Sequence, residues 1–177
     1  QPLNNRVLVY RNVGSFLPKP GDELSQDGEC PACIGLPDVV LGQPDFDTFI
    51  PNVENGMQNP TGVATDGVRI AVADTDNNRV LIWHSIPTQD GHPPDVVIGQ
   101  GDAVNNAPGT SSTLMRGPQG VWFDQSGKFF VADTQNSRVL IYNSVPTTTG
   151  VAADVVLGQP DFDTRPEPDL TQSNVDA

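Results

Sequence analysis

The stretch PDVVLGQPDFDT at residues 37–48 decides the fold of this 177-residue chain, because it occurs three times. It returns as PDVVIGQGDAVN at residues 94–105 and as ADVVLGQPDFDT at residues 153–164. The spacing is 57 positions from Asp38 to Asp95 and 59 positions from Asp95 to Asp154. Self-similarity at a nearly constant period indicates a repeat architecture, in which each unit buries its apolar face against its neighbours.

Each complete repeat is typical of four short strands joined by tight turns. In the central repeat the strands are predicted at residues 62–65, 69–73, 79–83 and 95–100, with Asp-Gly and Asn-rich turn signals between them. The third repeat has the same pattern at residues 120–123, 128–132, 138–142 and 154–159, whereas the first has only its last two strands, at residues 6–10 and 38–43. Helical periodicity is absent from the sequence. We therefore expect an all-β chain of four-stranded antiparallel units, about two and a half in number.

Composition narrows the class of protein further. The chain has 17 Gly, 17 Pro and a net charge of -13, which fits turn-rich β-structure and would repel the phosphates of nucleic acid or anionic lipid. No stretch approaches the roughly 18 apolar residues of a membrane span. Scarce Lys and abundant Asn, Gln, Thr and Gly favour an extracellular, periplasmic or cell-surface location. Neither a nucleic acid nor a membrane span is expected.

The segments PTGVATDGVRIAVADTDNNRVLIW and PQGVWFDQSGKFFVADTQNSRVLIY resemble the NHL-repeat family, whose pattern runs Pro-x-Gly-Val and then Val-Ala-Asp-Thr-x-Asn-x-Arg-Val. The resemblance covers two complete units and part of a third. It implies a β-propeller, commonly six-bladed, in which the first strand of each blade lines a central channel.

On this interpretation residues 1–43 form a half blade with a CxxC loop insertion, and residues 44–100 and 101–160 form two full blades. Residues 161–177 are then a connector towards a missing blade. An incomplete ring exposes sheet faces and edges that invite association. We therefore expect a segment of a longer protein, or copies that assemble to complete the ring.

A polar turn and a following Arg recur in the repeats and form one candidate site. The residues are Asp74, Asn77 and Arg79 in the central repeat, and Asp133, Asn136 and Arg138 in the third, with Arg6 at the same place in the first. An EF-hand would need Gly at loop position six, where Arg79 stands instead. We expect a structural contact between Arg and Asp; a ligand-facing Arg is the alternative.

Cys30 and Cys33 lie in an insertion unique to the first repeat. Tyr10 to Asp38 spans 28 positions, whereas the equivalent loops span 12. A local disulfide is the expected reading, and a redox couple or half of a metal site are the alternatives. His84 and His92 lie in the equivalent loop of the central repeat, so a Cys2His2 zinc site is a further alternative, although the order and spacing match no standard finger. No other metal and no cofactor is expected.

The long connectors between repeats carry acidic residues that are predicted to form a rim: Asp45, Asp47, Asp102, Asp161 and Asp163. Loops mounted on one edge of a rigid repeat fold often carry recognition. A solvated turn surface and a site for a cation, a basic peptide or a polyol both fit this pattern.

The strands predicted to line the channel, residues 62–65 and 120–123, contain no His, Cys or Glu. They therefore carry no recognisable set of catalytic residues. The leading expectation is therefore a non-enzymatic binding or assembly scaffold in an exported or surface protein. Its partners would be the remaining blades, further copies of the chain, or a protein, peptide or carbohydrate ligand. Two alternatives stay open: a fragment of a propeller lyase or hydrolase with catalytic residues on missing blades, and a structural repeat module that self-assembles edge to edge.

Overall fold

The computed structural model describes residues 4–11, 14, 20, 37–52 and 55–164, and this part of the chain contains three antiparallel sheets. The first sheet pairs β1 (Val7–Val9) with β2 (Val39–Leu41). The central sheet contains β3 (Pro60–Thr65), β4 (Ile70–Asp74), β5 (Arg79–Trp83) and β6 (Val96–Ile98). The third sheet contains β7 (Pro118–Phe123), β8 (Phe129–Asp133), β9 (Arg138–Tyr142) and β10 (Val155–Leu157). The predicted all-β class with four-stranded antiparallel units is confirmed.

Both four-stranded sheets are meanders, in which strands adjacent in sequence are hydrogen-bonded neighbours. Single 3-10 turns, Thr75–Asn77 and Thr134–Asn136, connect their second and third strands. Each turn ends on a residue in the left-handed region, Asn78 with φ 54° or Ser137 with φ 50°. The repeated polar segment therefore folds locally, as the turn residues predict.

The strand boundaries differ from the sequence-based prediction at both ends of each repeat. The first strands begin two residues earlier, at Pro60 and Pro118, and a register shift follows each proline. The last strands are three residues long instead of six, because Gly99 and Gly158 take φ of 85° and 92° and end the extended conformation.

The three sheets stack face to face, with the central sheet in the middle. Alternate residues of a strand point to opposite faces, and both faces of the central sheet are covered. One face meets the first sheet in a cluster that includes Leu41, Val72 and Trp83. The other face meets the third sheet in a cluster that includes Ile98 and Phe129. Every residue of β4, β5 and β6 is consequently buried.

The loop between the third and fourth strands ties each sheet to the preceding one. In the central sheet, Asp90 Oδ1 accepts the N–H of Val40 at 2.9 Å, and Gly91 donates its N–H to the Val40 carbonyl at 2.9 Å. In the third sheet, Thr149 Oγ1 and the N–H of Gly150 make the same two contacts with Val97, at 3.1 and 2.9 Å. The stacking is therefore directional and repeats along the chain.

The first strands of the two four-stranded sheets, β3 and β7, approach closely. A Cβ at Gly62 would lie 2.3 Å from the carbonyl oxygen of Gln119, so only glycine fits there. Thr75 Oγ1 donates across the same junction to the Pro118 carbonyl at 2.7 Å. Within the described ranges, no helix has the length and apolar character needed to cross a membrane.

Candidate functional site

The predicted Asp, Asn and Arg of the central repeat form one buried hydrogen-bonded cluster. Arg79 Nε donates to Asp74 Oδ2 at 2.7 Å, and Asn77 Nδ2 donates to the same oxygen at 2.8 Å. The backbone N–H of Gln58 donates to the other carboxylate oxygen at 2.7 Å. Arg79 also donates through Nη2 to the Gly56 carbonyl at 2.9 Å. The cluster thus anchors the connector that precedes β3.

The third repeat builds the same cluster from Asp133, Asn136 and Arg138. The Arg138 Nε and Asn136 Nδ2 distances to Asp133 Oδ2 are 2.7 and 2.8 Å, and the N–H of Arg116 donates to Oδ1 at 2.7 Å. The predicted contact between Arg and Asp is therefore present within each four-stranded sheet. The Arg138 side chain is fully buried, so its position is that of a structural ion pair rather than of a solvent-facing cation.

Two titratable groups in this region have pKa values raised by burial. Burial raises the pKa of Asp74, while the Arg79 charge opposes this rise. Burial also raises the pKa of Tyr142, and the charge of Asp133 adds to this effect. Tyr142 therefore stays neutral at physiological pH.

The five predicted rim residues fall in short turns that follow the last strand of each repeat: Asp45, Asp47, Asp102, Asp161 and Asp163. Asp161 Oδ1 accepts the N–H groups of Asp163 and Thr164 at 2.9 and 2.7 Å. Asp45 and Asp102 accept the same pair of backbone donors in their own turns. One oxygen of each of these three carboxylates is therefore occupied by its own turn.

Hydrogen bonds lower the pKa of Asp45, Asp102 and Asp161 from the ordinary value of 3.8, and for Asp45 the largest contribution is the side-chain hydrogen bond from Thr48. For Asp161 the largest contribution is the side-chain hydrogen bond from Thr164, and for Asp102 it is the backbone N–H of Asn105. Among the described residues, no group of three or more His, Cys, Asp or Glu is placed to hold a metal ion. The rim is a series of separate ionised turns along the repeats.

Only two of the four candidate zinc ligands, the histidines, lie among the described residues. Cys30 and Cys33 lie outside the described residues. His84 Nε2 is 3.0 Å from the carbonyl oxygen of Pro146, so this ring bonds across to the loop of the third repeat. His92 contributes its backbone carbonyl, which accepts the indole N–H of Trp83 at 3.0 Å. The hydrogen bonds of both histidines belong to the packing of the loops between third and fourth strands.

The face of the third sheet that points away from the central sheet is exposed at β10. Exposed sheet faces were expected from the sequence, but these residues were not predicted individually. Val155 and Leu157 of β10 are 40% and 53% exposed. Their counterparts on β6, Val96 and Ile98, are 1% and 0% exposed because the third sheet covers them. In the part of the chain that the structure describes, no further sheet covers β10.

A cleft of about 360 Å³ lies beside the buried cluster of the central repeat. Its described lining residues are Asn52, Asn55, Gly56, Asn77, Arg79, Leu81, Pro94, Ala103, Val104 and Asn106. Sequence reasoning missed this cleft. One substitution within the repeat could have pointed to it, because Ala103 stands where the other two copies have Phe46 and Phe162.

No protein-family model matches the chain, and no curated protein matches it. The NHL-repeat resemblance therefore stays a prediction. Three features of the described structure bear on function: the uncovered face of β10, the ionised turns, and the cleft beside Ala103.

Proposed function

We propose that this chain is a β-propeller segment of the NHL-repeat type that acts as a non-enzymatic binding or assembly scaffold in an exported or surface protein. The observation that supports this most directly is the difference in solvent exposure between equivalent residues of β6 and β10. Val96 and Ile98 are buried between two sheets, whereas Val155 and Leu157 present the same apolar pattern to solvent. An exposed apolar sheet face favours association with another polypeptide.

The partner that fits this face best is a further sheet of the same repeat type. The interface between the central and third sheets buries the face of β6 against aromatic residues such as Phe129 and Tyr142. The face of β10 has the same residue pattern as β6, so it matches the same kind of inner partner. Remaining blades of a longer chain or a second copy of this chain would both supply such a sheet.

The first sheet presents an opening at the other end of the stack. In the described residues β1 pairs only with β2, and a cleft of about 410 Å³ lies between β1 and β3. Its lining includes Leu8, Tyr10 and Val63. A propeller would place two more strands at this position, so edge-to-edge assembly through β1 is the second candidate arrangement.

Concentration-dependent light scattering tests the proposal on the purified chain. We expect reversible association, and we expect the double substitution Val155→Asp and Leu157→Asp to shift the sample to monomer. The matched control is Val68→Asp, which adds a charge at another exposed apolar position, on the turn between β3 and β4. That variant should associate as the unchanged chain does.

The results of this experiment distinguish association through β10 from association through the opening at β1. Loss of association with Val63→Asp, and not with the β10 substitutions, would identify the β1 opening as the contact instead. A chain that stays a folded monomer at all accessible concentrations, and takes up no separately produced repeat segment, would contradict the scaffold function.

A further inference from the structure

The three copies of the repeat place one residue at the same point of the repeated Asp turn: Phe46, Ala103 and Phe162. The carbonyl of each accepts a hydrogen bond from Nη1 of the Arg at the start of the third strand, which is Arg6, Arg79 or Arg138. Each residue also directly follows an Asp that accepts the backbone N–H groups of its own turn. The three positions are therefore equivalent in backbone geometry and differ only in the side chain.

In the third repeat the aromatic residue is half-buried. Phe162 packs against the apolar cluster that contains Leu140 and Ala153. In the central repeat the corresponding residues are Leu81 and Pro94, and both line the 360 Å³ cleft together with Ala103. The cleft therefore lies at the position in the central repeat that corresponds to the place of Phe162 in the third repeat.

The described lining of the cleft combines apolar residues with polar side chains that are hydrogen-bonded. Asn77 donates from Nδ2 to Asn52 Oδ1 at 2.7 Å, and Arg79 is held by Asp74 at 2.7 Å. Hydrogen bonds thus hold these polar side chains of the cleft in place before any ligand binds. Val104, one of the lining residues, is 89% exposed, so the cleft opens to solvent. The volume of the cleft lies within the range of ligand-binding pockets, and half of its described lining residues are Asn or Arg.

We propose that this cleft receives a monocyclic aromatic side chain, Phe or Tyr, from a partner polypeptide. The proposal rests on the scaffold function above and names one class of its ligand. The same backbone frame already accommodates a phenyl ring at Phe162, and this favours an aromatic ring over a sugar. The ionised Asp102 adjoins Ala103, and the net charge of the chain is -13, so basic residues beside the aromatic residue would strengthen binding.

The experiment uses the full chain and two blocked tripeptides, Lys-Phe-Lys and Lys-Ala-Lys, with binding followed by NMR of the Asn side-chain amides. We expect saturable binding of Lys-Phe-Lys that shifts the amide signals of Asn77 and Asn106. Ala103→Phe should fill the cleft with its own ring and weaken binding at least tenfold. Its circular dichroism should match that of the unchanged chain, and its thermal midpoint should not fall. Ala103→Met is a second filling variant.

The matched variant in the third repeat is Phe162→Ala, which should open an equivalent cleft and add a second binding site. Equal binding of both tripeptides, unchanged binding by folded Ala103→Phe and Ala103→Met, or binding of a neutral oligosaccharide in place of Lys-Phe-Lys would overturn the proposal. Light scattering of Ala103→Phe distinguishes this result from a failure of the scaffold function. Association through β10 should persist in that variant, because none of the described lining residues of the cleft belongs to β10.

Discussion

The central and third sheets have nearly the same sequence pattern and the same buried ion pair, yet their surroundings differ. The contact of Arg79 with Asp74 and that of Arg138 with Asp133 both measure 2.7 Å. By contrast, all five residues of β5 are buried, whereas burial alternates along β9. The comparison separates two sources of structure: contacts within a repeat depend on the repeat itself, and burial of a face depends on what is stacked against it.

The largest effect should come from breaking the ion pair. Asp74→Ala leaves the Arg79 guanidinium buried without its carboxylate, which costs about 3–5 kcal/mol in the free energy of unfolding. Asp133→Ala should cost a similar amount, because its hydrogen bonds have the same lengths. Urea unfolding measures both. Asp76→Ala, at an exposed position in the same turn, is the control and should change little. A loss in only one of the two repeats would show that the clusters are not equivalent.

Truncating a side chain on the last strand of each sheet should show the difference between the two sheets most clearly. Ile98→Ala empties a fully buried site and should cost about 2–5 kcal/mol. Leu157→Ala, at the equivalent exposed site, should cost less than about 1 kcal/mol. Chemical unfolding is measured at a concentration where the chain is monomeric, because association would cover Leu157. Equal losses would indicate that β10 is covered in the monomer.

The first strands of the two sheets, β3 and β7, offer a smaller but sharper contrast. Gly62→Ala places a Cβ 2.3 Å from a backbone oxygen of the third sheet, and the forced shift should cost about 1–3 kcal/mol. Gly120→Ala is the matched control, since its Cβ would meet only the Ala132 methyl at 3.4 Å. Thermal unfolding compares the two variants. If both variants melt at the same temperature, a Cβ at residue 62 costs no stability, which would contradict the close approach of β3 and β7.

The smallest effect concerns pH and the acidic turns. The pKa of Asp102 is lower in the folded chain than its ordinary value of 3.8. Its contribution to stability is therefore present above that pH and is lost as the pH falls through the folded pKa. Asp102→Asn retains an oxygen acceptor for the turn and has no titratable group. Its stability should fall less steeply than that of the unchanged chain below pH 3.8. Parallel curves would show that this turn does not contribute to the acid sensitivity.

Much of the candidate site was readable from local sequence. The Asp, Asn and Arg of each repeat lie within five residues of one another, so turn chemistry and cross-strand pairing suffice to bring them together. The acidic turns were readable for the same reason, since each Asp bonds its own next few residues. The cleft as a whole was not, because its lining residues Asn52, Leu81 and Pro94 lie apart in the chain and are brought together only by the tertiary structure.

By itself the sequence determined the all-β class, the four-stranded units and the polar turns, since each depends on residues close together in the chain. Only the tertiary structure decided which face of each sheet is covered and where Ala103 leaves space. The physical reason is that burial is a property of neighbours. Val96 and Val155 occupy the same place in the same motif, and the sheet stacked against one of them makes the difference between 1% and 40% exposure.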